Sequence, residues 1–115
     1  YDRAIELSQK GLQTDPRNAM QMATLSLYYA KKGDTANAKI YIRRARTIAP
    51  SEVYFMYNEA LVQSMAGNTK DALTALRTAL EKGYPVREAA NDPDFTGLKS
   101  NPEFQQLVQQ YEAKK

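Results

Sequence analysis

An all-α fold of stacked, antiparallel helix pairs is predicted by three observations. A shift of 34 residues superposes the chain on itself. Ala4, Ala38 and Ala72 align, as do Gly11, Ala45 and Ala79, Pro16 and Pro50, and Gly33 and Gly67. Tyr1, Thr35 and Thr69 fall together, and so do Ser8, Ile42 and Leu76; a fixed period of this size marks supersecondary units stacked into a solenoid. Apolar residues between these punctuation points recur at helical spacing. Finally, 43% hydrophobic residues with five Gly and five Pro suit a helical globule with few breaks.

The elements follow in order. Residues 1–14 read as a helix whose buried stripe is Ala4, Leu7, Ser8, Gly11 and Leu12, ended by Asp15-Pro16. By register it is the second helix of a repeat whose first helix is absent. Asn18 caps a helix over 19–32 that stops at Gly33, and Asp34 caps one over 35–48. Pro50-Ser51 turns the chain, with Ser51 capping a helix over 52–66 that stops at Gly67. Asn68 and Asp71 have capping-box spacing ahead of a helix that runs to about Lys82. Small residues in the two alanine columns let paired helices approach closely.

The periodicity breaks after Tyr84. Pro85 opens one or two helical turns, and Asp92-Pro93 and Asn101-Pro102 each place a capping residue before a first-turn proline. Short helices are expected at about 93–99 and 102–113, with Phe95, Leu98, Phe104, Leu107, Val108 and Tyr111 as their apolar face. A stack of repeats has an open hydrophobic end, which this aromatic tail is suited to cover.

The pattern resembles the tetratricopeptide repeat. Met22, Leu25, Ser26, Tyr29, Ala38, Ile42, Ala45 and Pro50 match that family's positions in the central unit, and Met56, Ala60, Ala72, Leu76 and Ala79 in the next. Glu59 and Gln63 stand where the family prefers Leu and Tyr, and Pro85 arrives one position late. The tail GYPVREAANDPDFTGLKSNPEFQQLVQQY is similar to the segment that closes many bacterial tetratricopeptide regions. The resemblance implies a right-handed α-solenoid of about two and a half units. Residues 1–18 are then the truncated repeat, 19–52 and 53–85 the two full units, and 86–115 the C-terminal cap, all within one domain.

Composition narrows the chemistry. With no His and no Cys, Ser-His-Asp and Cys-His nucleophilic sites and His/Cys zinc sites are excluded within this chain. The five glycines are isolated, so no phosphate loop is present. Asp92 and Asp94 are the nearest pair of carboxylates, and capping beside Pro93 accounts for them. No enzyme activity, cofactor or metal is expected. No apolar run approaches the length of a membrane span. No signal peptide is visible, and the opening on Tyr1 in mid-motif suggests a piece excised from a larger protein, with a cytoplasmic setting favoured over a periplasmic one. Residues 1–50 carry a net +5 and the remainder −2, a gradient suited to steering a partner.

In the tetratricopeptide family the first helix of each unit lines a concave groove, and the resemblance carries those columns onto Met20, Thr24, Leu27 and Lys31, then Tyr54, Asn58, Leu61 and Met65. Apolar sockets, pliable Met side chains, an Asn suited to backbone amides and one cation fit an extended peptide or a helix. The expected activity is therefore protein–protein interaction, with a partner of unknown identity. The bland alternative is that these side chains pack against the tail or one another. Family members that clamp a C-terminal carboxylate use Lys and Asn where this chain has Ala23 and Leu27, so that clamp is incomplete.

Lys39, Arg43 and Arg46, with Arg44 beside them, form a basic face that reads as a solvated outer surface, and nucleic acid is not an expected partner. The run from Gly67 to Pro85 also resembles the pentatricopeptide repeat, a relative that reads single-stranded RNA. The 34-residue period and Ile48-Ala49-Pro50 favour the protein-binding relative. A third reading is structural, with self-association through the exposed face of residues 1–14.

Overall fold

A computed structural model describes residues 1–114. Helix makes up 79% of the chain, and eight helices pack in adjacent pairs with no strand among the described residues. They are α1 (Asp2–Thr14), α2 (Ala19–Lys32), α3 (Thr35–Ile48), α4 (Val53–Met65), α5 (Thr69–Glu81), α6 (Val86–Asn91), a 3₁₀ helix (Pro93–Leu98) and α7 (Pro102–Glu112).

Local chemistry sets most of the boundaries. Asn18 Oδ1 accepts from Gln21 N at 3.0 Å, and Asp34 Oδ1 from Asn37 N at 3.2 Å. Gly33, at φ 96°, donates to Ala30 O at 3.1 Å while Asp34 N reaches Tyr29 O at 2.9 Å. Gly67 repeats this closure at φ 81°, with Asn68 N on Gln63 O at 2.9 Å. The pair of bonds is a Schellman ending, and its left-handed residue costs least as glycine. Asn101 and Asp92 cap the helices that open on Pro102 and Pro93, accepting from Glu103 N at 2.8 Å and Asp94 N at 2.9 Å.

Two caps differ from expectation. Glu52, not Ser51, stands at the head of α4, its carboxylate accepting from Tyr54 N at 3.3 Å. Asn68 leads α5 without a side-chain cap, because its amide donates instead to Gln63 Oε1 at 2.8 Å. The capping box with Asp71 is therefore not formed.

The alanine columns lie at the helix contacts. Ala38, Ala45, Ala72 and Ala79 have no exposed surface, and Ser26 Oγ donates to Ala38 O at 2.6 Å across the α2–α3 pair. Such contact leaves no room for a branched side chain. Helix α1 keeps most of its expected stripe, with Ser8 buried and Ala4, Gly11 and Leu12 half-buried, but Leu7 is 52% exposed and Ile5 is buried in its place. Its face is set by packing on α2, where Ile5 joins the core of Met22, Leu25 and Tyr29.

Two apolar cores result. One gathers α1 to α3 with Phe55 and Val62; the other gathers α5 to α7 and the 3₁₀ helix with Met56, Tyr57, Ala60 and Leu61. Helix α4 feeds both, which is why apolar residues spread over most of its circumference, leaving Glu59 and Gln63 on the side that borders α3 and α5.

Candidate functional site

The eight expected groove residues lie on α2 and α4, which pack against each other. Met20 and Tyr54, 34 positions apart, are both exposed at the N-terminal ends of these helices, at 52% and 40%. Thr24, Leu27 and Met65 are half-buried and Lys31 is exposed. Asn58 and Leu61 differ: both are buried, at 1% and 4%.

The tail explains the burial of Leu61. The 3₁₀ helix packs on α4, and Phe95 and Leu98 share a core with Leu61. Lys31 Nζ stands 3.8 Å from Asp94 Oδ2, linking the C-terminal end of α2 to the same segment. The face is thus divided. Met20, Thr24 and Tyr54 form an open end, and Leu61 lies in a covered one. The expectation that tail packing claims some of these side chains describes Leu61.

Asn58 is the unusual residue of this face. Its Oδ1 and Nδ2 are both buried and neither has a hydrogen-bond partner in the protein. A buried amide left unpaired costs about 1–3 kcal/mol. It lies one helical turn from exposed Tyr54, on the same side of α4.

Beside Tyr54 is an aromatic cluster that sequence reasoning missed. The Tyr57 and Tyr84 rings stack with centroids 3.8 Å apart and planes at 8°, and Phe95 meets Tyr57 edge-on at 5.6 Å. Tyr57 Oη donates to Asp92 Oδ2 at 2.6 Å. Burial first, then that bond, raises the Tyr57 phenol well above its ordinary value. Burial first, then Glu88, pushes Tyr84 up to about 12. Asp92 therefore serves on both oxygens, as the expected cap and as a tie to α4. The available signal was the density of aromatics after Gly83, which points to packing without naming partners.

The basic face of α3 is partly neutralised. Arg46 Nη1 pairs with Glu59 Oε1 at 3.2 Å, while Arg43 and Arg44 are exposed. Arg43, Arg46, Glu59, Gln63, Asp71 and Thr74 border a groove of about 410 Å³ between α3, α4 and α5. Two arginines face two carboxylates there, so the groove has no excess positive charge to draw a phosphate backbone.

No group of three or more His, Cys, Asp or Glu side chains able to hold a metal ion occurs among the described residues. No helix among them is long and apolar enough to cross a membrane. No protein-family model and no solved structure matches the chain.

Proposed function

We propose that this chain is a tetratricopeptide-type helical-repeat module that holds a protein or peptide partner on the α2/α4 face. In this reading the helix pairs form a right-handed solenoid of about two and a half units, residues 86–115 close its end, and the module is not itself an enzyme. Asn58 carries the reading. A buried amide with no partner, one turn from an exposed Tyr54, is unfavourable for stability; it lies below the accessible surface, so a peptide backbone would exchange hydrogen bonds with it only once the side chains above it move aside. Tyr54 supplies an amphipathic anchor of the kind that dominates interfaces.

The test is site-specific photocrosslinking in cell extract with a benzophenone side chain at position 54, compared with one at Thr74 on α5. A discrete adduct from position 54 that is absent from position 74 identifies the partner. Calorimetry with that partner is then expected to show Tyr54→Ala losing roughly 2 kcal/mol of binding. Full affinity in Tyr54→Ala moves the site off this face.

Tyr1 at the head of α1 and Leu7 on it, exposed at 62% and 52%, support a second reading in which the chain self-associates through that helix. Sedimentation of the wild type and Leu7→Glu over a concentration series decides it: a dimer abolished by the charge supports self-association, and a wild-type monomer throughout refutes it.

A further inference from the structure

We infer that the surface where Tyr54, Tyr84, Glu88 and Asp92 gather recognises a basic side chain, arginine or lysine, carried by the bound peptide. The inference rests on the α2/α4 groove reading and specifies the chemistry of its ligand.

Three observations lead to a cation. The first is aromatic. Tyr84 covers Tyr57 with one ring face yet remains half-buried, and Tyr54 one turn earlier on α4 is exposed. Aromatic faces attract a cation placed over them. The second is charge. Glu88 is exposed and Asp92 half-buried, four positions apart, and neither forms an ion pair among the described residues. Asp94 differs, since Lys31 answers it. The covered end of the face is thus neutralised and the open end is left negative. The third is the state of the phenol. After burial, the carboxylates of Glu88 and Asp92 push Tyr84 upward, so the field there opposes more negative charge and favours a positive one.

Asn58 adds an independent pointer to a ligand. It is 1% exposed, unpaired at both polar atoms, and lies on the Tyr54 side of α4. A peptide lying along α4 beside exposed Tyr54 would bring a basic side chain to the tyrosines and towards Glu88. Arginine suits the position best, because its planar head stacks on a ring while donating to a carboxylate.

The experiment is an NMR titration of the ¹⁵N-labelled full chain with three blocked pentaalanine peptides bearing arginine, norleucine or glutamate at the third position. Expected are amide shifts at Tyr54, Tyr84 and Glu88 with the arginine peptide, and an affinity about threefold or more above norleucine, as a partly exposed ion pair provides. The preference shrinks in high salt and is lost in Glu88→Gln, a change at an exposed position that leaves the fold intact. Equal affinity for arginine and norleucine overturns the cation site and leaves the groove reading standing. Arginine-dependent shifts at Tyr84 and Glu88 without any at Thr24 or Asn58 support the cation site and overturn the groove. No response on the α2/α4 face to any peptide overturns both.

Discussion

Tyr57 and Asp92 meet across 35 residues of sequence, the phenol donating to the carboxylate at 2.6 Å. The bond joins α4 to the head of the 3₁₀ helix at the point where the regular spacing stops. Tyr57→Phe keeps the stack on Tyr84 and removes only this bond. Its expected cost is about 1 kcal/mol, read as a lower urea midpoint at unchanged slope. An unmoved midpoint means water replaces the phenol at no loss.

Alkaline pH tests the same cluster. Tyr84 rises from 10.0 to about 12 in the folded state, and Tyr57 rises as well. A phenol whose folded pKa lies above its unfolded one stabilises the fold below the unfolded value, and that contribution drains away as pH climbs towards the folded one. Melting temperature is therefore expected to fall between pH 10 and 12, and to fall less steeply in Tyr84→Phe. A variant with the wild-type alkaline slope would show that the ring does not sense the fold.

Ala45 and Ala79 have no exposed surface at the helix contacts. Leucine at either position is expected to destabilise by about 1–3 kcal/mol through overpacking. Thermal melts check it, with Ala36→Leu on the exposed side of α3 as the control that stays put.

Asn58→Leu separates a structural asparagine from a binding one. Filling the site with an apolar side chain of similar size removes an unpaired buried amide, so stability is expected to rise by about 1–3 kcal/mol. Partner affinity is expected to fall at the same time, the usual sign of a residue kept for function. A destabilised variant would reveal a partner for Asn58 within the fold.

Deleting residues 92–115 would expose the core surface around Leu61, Leu76 and Tyr57 that Phe95, Leu98, Phe104 and Leu107 share. Light scattering is expected to show aggregation, or calorimetry a broad melt, because so large an apolar patch is not tolerated in water. A truncated chain that melts sharply as a monomer would dispose of the capping role.

Local chemistry made much of the fold legible. Gly33, Asn18 and Asp34 mark helix ends through bonds to residues within a few positions, so the sequence carries the whole signal. Leu7 shows the limit. Ile5 and Leu7 are equally apolar, and only the docking of α1 on α2 decides which is buried. Asn58 and Leu61 show it again at the site. Helix α4 is apolar over most of its circumference, so its pattern does not announce which strip a segment more than thirty residues later will cover. The Tyr57–Asp92 bond was unreadable for the same reason, since neither residue carries a local hint of the other.

Because α4 sends Phe55 and Val62 into one core and Met56, Tyr57 and Leu61 into the other, neither half of the molecule keeps its interior once α4 is lost. The outer helices are under no such obligation: α1 leans on one neighbour, and its departure leaves the second core untouched. The molecule therefore has a built-in order of opening in time. Amide protons of α1 are expected to exchange with solvent through partial fraying, and those in the middle of α4 only when the whole chain comes apart. A partner seated on α4, as proposed, would grip the part of the protein expected to open last.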